Sequence, residues 1–362
     1  MAQSTFVYLE RRPGAITFCL LNSRGERRAL VPTPTRPGPS VPWPVIGAYG
    51  DIITLALPDF PPQALFAQSI DGGKTFTPLC LPQSNGTSPS PRRYRLHAGG
   101  AWLSVVLSSQ EILVRHARGS GWRAWSVPEG FAISDLSIDL EGSISACGGV
   151  SGPGGPSEKA PVIHRVVNGV AGWIQPPFSR KDERKLRDGS DGACYAVNTE
   201  ASPWLLATEY FTVRDGFAYA DDASASYILT EDEPCCGLHQ IQGQFFAIVR
   251  EVPGQLSLYN SNGRRYRMAG GARSWRSRDL TPAMEAAGIR GRGLRPVLRG
   301  VAGEFRRIIL VVELYTEPGY QGKRLAAAVL TSEDDCETFR VRAWSTEENC
   351  DYCGVGLISD LS

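Results

Sequence analysis

Ser69-Ile70-Asp71-Gly72-Gly73-Lys74-Thr75-Phe76 is the stretch whose reading decides the fold. Ser, Asp, Gly, Thr and an aromatic at these offsets describe a tight turn that staples itself. The Asp71 carboxylate can accept from nearby backbone N–H groups, the glycines permit positive φ, and Phe76 can pack beneath a hairpin. A second, altered copy stands at Ser332-Glu333-Asp334-Asp335-Cys336-Glu337-Thr338-Phe339, where Ser332, Asp334, Thr338 and Phe339 keep their spacing and Cys336 replaces the glycine.

Outward from these turns, an apolar stretch, a glycine turn and a strand-like run recur along the chain. Glycine precedes such a run at Gly50, Gly100, Gly142, Gly243 and Gly303. These positions read as turns between the first and second strands of successive units. A further hairpin also repeats: Leu21-Asn22-Ser23-Arg24-Gly25-Glu26-Arg27 matches Tyr259-Asn260-Ser261-Asn262-Gly263-Arg264-Arg265, and both are expected to fill the same place in their units. Each unit is then a four-stranded antiparallel meander. Ile133-Ser134-Asp135-Leu136-Ser137 returns as Ile358-Ser359-Asp360-Leu361-Ser362, which makes the C-terminus an inner strand.

The octapeptides, one intact and one altered, resemble the Asp-box (BNR repeat) of the sialidase-like β-propeller superfamily. That resemblance implies an all-β fold and a structural role for the octapeptides, remote from any active site. The expected architecture is a single β-propeller over residues 1–362, with seven four-stranded blades closed by pairing of the N- and C-terminal strands. The blades fall near 44–82, 93–129, 131–177, 190–232, 236–270, 293–345, and 354–362 with 4–31. Six blades stay open, because residues 214–232 are hard to divide.

Bulk properties narrow the function. The 38 basic and 37 acidic residues leave a formal charge of +1, so no global field draws nucleic acid or a membrane. No 18-residue apolar span and no leader pattern occur, and nine mostly single cysteines suit a reducing compartment. A cytoplasmic location follows as the expectation. Neither cofactor nor resident metal is expected. Cys236, His239, Cys350 and Cys353 are the only zinc candidates, and small half-buried cysteines are the simpler reading.

Two insertions break the rhythm: the charged run 179–188 and the stretch 280–288. The latter reads as a short helix with Thr281 as N-cap, Pro282 in its first turn and Gly288 as terminator. Both lie in connections from an outer strand to the next inner strand, which in propellers crowd one face. Arginines 264, 265, 267, 273, 276, 278, 290, 292, 295 and 299 interleave with Tyr259, Tyr266 and Trp275. Such a mixture suits phosphate backbones with stacked bases or an acidic protein surface, or internal pairing with the acidic stretches 231–233 and 347–348, and the formal charge of +1 argues against nucleic acid. The expected role is a non-catalytic scaffold that binds a protein partner through Trp43, Arg184, Arg187, Trp275, Arg276, Met284, Arg290, Arg292 and Tyr320. The alternative is a sialidase-like glycoside hydrolase or carbohydrate-binding propeller. The resemblance would then demand an arginine triad, a Tyr–Glu pair and an acidic Asp. Arg11-Arg12-Pro13 is the nearest string to the family's N-terminal arginine signature and does not match it.

Overall fold

Strands account for nearly all the regular structure in a computed structural model of the chain. It describes residues 5–22, 25–32, 45–49, 51–57, 65–79, 96–99, 102–106, 111–116, 118–119, 121–126, 131–138, 144–150, 161–167, 170–174, 194–195, 204–207, 211–214, 217–220, 225–229, 239–242, 247–252, 255–268, 275–290, 296–304, 306–317 and 322–358. Among these residues there are seven four-stranded sheets and one two-stranded hairpin. The chain divides into two compact units, Met1–Leu57 with Leu65–Leu79 and Phe245–Ser362, and Pro58–Ala64 with Cys80–Gln244.

The first unit holds four sheets. In the terminal sheet, Asp351–Ile358 pairs with Thr5–Arg12, which is followed by Ala15–Asn22 and Gly25–Val31. The C-terminal strand is thus the first of its sheet, hydrogen-bonded in register from Thr5↔Ile358 to Arg11↔Asp351. The Asp71 sheet runs Val45–Tyr49, Ile52–Leu57, Leu65–Ser69 and Thr77–Leu79. The helix sheet runs Ala247–Val252, Gln255–Tyr259, Arg264–Met268 and Trp275–Asp279, and the helix Thr281–Ala286 follows it. The Asp334 sheet runs Val297–Glu304, Arg307–Tyr315, Arg324–Ser332 and Arg340–Ser345. First strands of successive sheets adjoin in the order 247–252, 297–304, 351–358, 45–49.

In the second unit, one sheet runs Leu96–Gly99, Trp102–Val106, Glu111–His116 and Arg123–Ser126. Another runs Phe131–Ile138, Ile144–Val150, Pro161–Val167 and Val170–Ile174. A third joins Cys194–Tyr195, Trp204–Ala207, Ala225–Leu229 and His239–Gln242, and the separate hairpin is Phe211–Arg214 with Phe217–Ala220.

Three expectations need correction. His239–Gln242 pairs with Ala225–Leu229 and closes its sheet, so the next sheet begins at Ala247 and not near 236; Gly243 lies outside the described residues. The matched strings at 21–27 and 259–265 occupy different places, the third-to-fourth hairpin of the terminal sheet and the second-to-third hairpin of the helix sheet. They share turn chemistry, not position. The N-cap of the helix is Leu280, with Thr281 already inside; Asp279 supplies the acceptor, Oδ1, for the Thr281 N–H at 2.9 Å.

Period-2 alternation builds the core. Along Arg307–Tyr315, Ile308, Leu310, Val312 and Leu314 pack with Tyr259, Leu280, Met284 and Ile289 on the helix-sheet side. Ile309 and Val311 pack with Phe6, Tyr8, Cys19 and Tyr352 on the terminal-sheet side. A central strand buried on both faces therefore reads as an unbroken apolar run. The outer strand Arg340–Ser345 is largely exposed and correspondingly polar.

The two octapeptides form the same turn. Ser69 Oγ accepts the Gly73 N–H at 2.8 Å, and Asp71 accepts the Lys74 and Thr75 N–H groups and the Thr75 hydroxyl. In the second copy Ser332 Oγ accepts the Cys336 N–H at 2.9 Å, and Asp334 accepts the Thr338 N–H and hydroxyl. Each turn also reaches back to its own sheet, Gly72 N–H to Asp51 O and Asp335 N–H to Arg306 O, both 2.9 Å. Gly72 and Gly73 have φ of 71° and 82°, and Asp335 and Cys336 adopt the same left-handed pair at 68° and 64°.

Close approach explains Gly73, and the left-handed backbone explains Gly72. A Cβ on Gly73 would lie 2.6 Å from Phe18 Cε1. Gly73→Ala is therefore expected to destabilise by about 2 kcal/mol or more, from overpacking plus the left-handed backbone. Denaturant unfolding tests this, and an unchanged midpoint would contradict it.

The aspartates also make an acid-sensitive contribution. Donors from the Thr75 side chain and N–H and from Ser69 hold the Asp71 carboxyl well below its usual range. At Asp334 burial works upward, but the Thr338 and Ser332 donors outweigh it and hold the carboxyl down at about 2. An unfolded Asp titrates near pH ~3.9, so this stabilisation is complete above that value and disappears as pH falls through about 2. Between about pH 5 and pH 2 the melting temperature should fall less in an Asp71→Asn/Asp334→Asn variant than in the wild type. Equal falls would remove the two turns as the cause.

Candidate functional site

Antiparallel order sorts the chain's turns onto the two ends of each sheet. First-to-second and third-to-fourth hairpins share one end; second-to-third hairpins and the connections between sheets share the other. Both octapeptides are third-to-fourth hairpins. The helix, the 12–15 turn, the 315–324 hairpin and the 345–351 segment lie at the connection end. Contacts across sheets keep like ends together: Leu298 N–H donates to Ser261 O at 2.9 Å, Arg12 Nη1 reaches Glu347 Oε2 at 3.1 Å, and Arg27 Nη1 reaches Gly72 O at 3.3 Å.

A charged cluster occupies the connection end where the Asp334 sheet meets the terminal sheet. Arg324 bonds Asp351 and Glu313, and Arg11 bonds the second oxygen of Asp351. Arg299 Nε lies 3.0 Å from Glu313 Oε2, and the Tyr315 hydroxyl donates to the same oxygen at 2.5 Å. Arg324 also donates to the carbonyls of Glu347, Glu348 and Cys350, tying the inter-sheet segment down. Burial alone would lower the Arg324 pKa, but Asp351 and Glu313 raise it above the ordinary value. Sequence reasoning missed this cluster because its members are scattered over 340 positions and only sheet order joins them.

Within the arginine-rich stretch, Arg265, Arg267, Arg278 and Arg299 face acids of the chain. Arg265, only 4% exposed, donates to Asp335 Oδ1 at 2.6 Å, to its carbonyl at 3.0 Å and to Ser257 Oγ at 3.2 Å. Arg267 forks onto both Asp335 oxygens at 2.8 and 2.7 Å. Burial works to raise the Asp335 carboxyl, yet the two guanidinium groups bring it below the ordinary range. Arg278 pairs with Glu337 at 2.5 Å. Internal pairing is thus directed at the second octapeptide. Of the acids at 347–348, Glu347 engages Arg12 and Glu348 engages Lys323, while 231–233 lie outside the described residues.

Of the predicted contact residues, those described differ in placement. Arg290 is exposed at the connection end, its Nε donating to Glu285 O at 3.0 Å. Arg276 is exposed near the start of the outer strand, roughly three residues and 10 Å of strand from Asp279, toward the octapeptide end. Met284 is fully buried beneath the helix and is withdrawn from the contact surface, because the apolar face of the helix must cover the core. Trp275 opens the outer strand, again toward the octapeptide end; its side chain, with Trp43, Arg184, Arg187, Arg292 and Tyr320, lies outside the described set.

Among the zinc candidates, Cys350 and Cys353 are buried free thiols, and burial pushes Cys353 up to about 12, which disfavours the thiolate a metal needs. His239 opens a strand of the second unit, and its side chain and Cys236 lie outside the described set. Among the described residues no group of three or more His, Cys, Asp or Glu could hold a metal, and no helix is long and apolar enough to cross a membrane.

Exposed large apolar groups lie toward both ends. Of the five large ones among the described residues, Leu30 (72% exposed), Leu325 (43%) and Trp344 (44%) lie toward the connection end; Ile70 and Val341 lie toward the other.

No family model matches the chain, and no curated protein matches it in sequence. Solved structures do. The β-propeller domain of the trilobed protease from Pyrococcus furiosus is 10% identical, with a TM-score of 0.52 over 93% of this chain and 97% of that one. The likeness is one of fold, a β-propeller. Apo AztD from Citrobacter koseri is 8% identical over 99% and 98% of the two chains, with a TM-score of 0.48. YCF48 bound to D1 peptide is 10% identical over 83% and 87%, with a TM-score of 0.49.

Asp335→Ala should cost about 3 kcal/mol, because it strands the buried Arg265 charge without its carboxylate. Replacing both partners, as Asp335→Ala with Arg265→Met, should recover part of that loss. A double variant no more stable than the single one would contradict the pairing.

Proposed function

We propose that this propeller is a seven-bladed ring of Asp-box type, closed by the pairing of Thr5–Arg12 with Asp351–Ile358, and that it is a non-catalytic cytoplasmic scaffold holding a protein partner across the connection end. The observation that carries the binding reading is the exposure of Leu30, Leu325 and Trp344 toward that end, with the Arg290 charge in the same layer. Aromatic, aliphatic and arginine groups of this kind anchor protein interfaces. Trp43, Tyr320 and Arg292, which lie outside the described residues, are proposed to extend the surface, with Arg184 and Arg187 in the charged run 179–188. Asp71 and Asp334 serve the turns at the opposite end and take no part.

One observation favours a second reading, a sialidase-like glycoside hydrolase or carbohydrate-binding propeller. Glu313 and Tyr315 form a hydrogen-bonded pair beside Arg11, Arg299, Arg324 and Asp351, the residue types such chemistry uses. Each of these arginines already faces a carboxylate of the chain, so an acidic sugar would have to compete with Glu313 and Asp351. That competition favours the scaffold.

Affinity capture from native cell extract tests the choice, comparing wild type with a Leu30→Asp/Arg290→Glu/Leu325→Asp variant whose melting temperature is unchanged. A partner held by the wild type should bind the variant at least thirtyfold more weakly, roughly the loss of one hot-spot residue. Undiminished capture would remove this surface. Turnover of a fluorogenic sialoside that Tyr315→Phe abolishes would replace the scaffold with the enzyme.

A further inference from the structure

The Asp334 sheet ends in Arg340–Ser345, and among the described residues no strand pairs with the outer side of that strand. Alternate residues of such an edge turn unpaired N–H and C=O groups outward, a template for another strand. Its side chains decide which strand that could be. Arg340 and Arg342 are exposed, the strand contains no acid, and neither guanidinium has an ion-pair partner among the described residues. Three acids that flank the strand in sequence are committed elsewhere, Glu337 to Arg278, Glu347 to Arg12 and Glu348 to Lys323. Arg342 lies at a bulge opposite Val329 and Leu330 and is anchored through Nε to Thr331 Oγ1 at 2.8 Å, which fixes where its charge is presented.

Arginines on an edge commonly guard against self-association, and here they would repel a second copy of the same strand. They do not guard against an acidic strand, which they attract. Val341 and Trp344, 39% and 44% exposed, add the apolar contact that a protective edge would omit. The tetrapeptide Arg342-Ala343-Trp344-Ser345 recurs as Arg123-Ala124-Trp125-Ser126, again the outermost strand of its sheet, with Arg123 and Ala124 exposed. An arginine two residues before a tryptophan is therefore presented on two sheet edges of this chain.

We propose that the edge Arg340–Ser345 takes an extended acidic peptide as an added strand, backbone ladder giving register and the arginines selecting glutamate or aspartate on the incoming chain. This edge meets the connection-end patch at Trp344 and is otherwise distinct from it, so variants at Arg340 and Arg342 test the edge and variants at Leu30, Arg290 and Leu325 test the patch.

The test uses the whole chain and a fluorescein-labelled decapeptide of alternating glutamate and valine, with alternating lysine and valine as control. Anisotropy should show saturable binding of the acidic peptide alone, weakened about tenfold in Arg340→Glu/Arg342→Glu and unchanged in Arg290→Glu. Arg340→Glu alone, which removes no hydrogen bond seen in the structure, should weaken binding part of the way if the double variant melts early. Hydrogen exchange should slow in 340–345 on binding, because strand addition protects edge amides and charge attraction does not. Absence of binding, equal binding of the two peptides, or binding without slowed exchange would overturn the proposal. A single-stranded oligonucleotide that displaces the acidic peptide while the 340–345 amides stay unprotected would likewise replace strand addition with general attraction for polyanions.

Discussion

Everything in the larger unit depends on how two aspartate carboxylates close their turns. Asp71 and Asp334 each gather backbone and hydroxyl donors from residues four positions ahead, which turns the following two residues into the left-handed region. So folded, the turn projects away from its own sheet and its back can lie against the preceding one. Phe18 of the terminal sheet meets Gly73 and tilts onto Phe76, their ring centroids 5.1 Å apart. Tyr259 of the helix sheet lies beside Cys336 in the same core cluster. Sheets that would otherwise share only apolar faces are thus keyed together at one end.

The two turns solve one backbone problem with different residues. In the first, glycines take positive φ without strain, and Phe18 fills the space a side chain would need. In the second, Asp335 and Cys336 hold the same conformation at a cost of about 1 kcal/mol or more each. Their side chains offset it: Asp335 receives Arg265 and Arg267, and the Cys336 thiol, pushed up to about 11 by burial, stays neutral in the core. What reads as decay of a motif is its replacement by an ionic clamp.

Charge near zero overall conceals strong local separation. Arg265, Arg267 and Arg278 meet Asp335 and Glu337 across a sheet boundary and Arg299 meets Glu313 within one sheet, while Arg276, Arg290, Arg340 and Arg342 are exposed without an acidic partner among the described residues. The partner recognition proposed for this unit would use what this internal pairing leaves over. The apolar side chains Leu30, Leu325 and Trp344 gain their meaning the same way, as groups that the sheet stacking does not cover.

Strand content, the pairing of Val45–Tyr49 with Ile52–Leu57 and of Leu96–Gly99 with Trp102–Val106, the two stapled turns and the pairing of Thr5–Arg12 with Asp351–Ile358 were legible in the chain, because each rests on local periodicity, on a repeated string or on side chains within a few residues. Local chemistry could not say which hairpin a turn belongs to, so Tyr259-Asn260-Ser261 and Leu21-Asn22-Ser23 matched as strings and landed at opposite ends of their sheets. Nor could it place Met284 inside and Leu325 outside, since both stand beside alanines in apolar stretches and only the neighbouring sheet decides which is covered. The ionic clusters around Asp335, Glu313 and Asp351 join residues tens to hundreds of positions apart. Sequence by itself determined the strands and the turns that close on themselves; the partners of the buried arginines and the surface left for binding were decided by sheet order, because a charge reaches whatever the packing brings within a few ångströms of it.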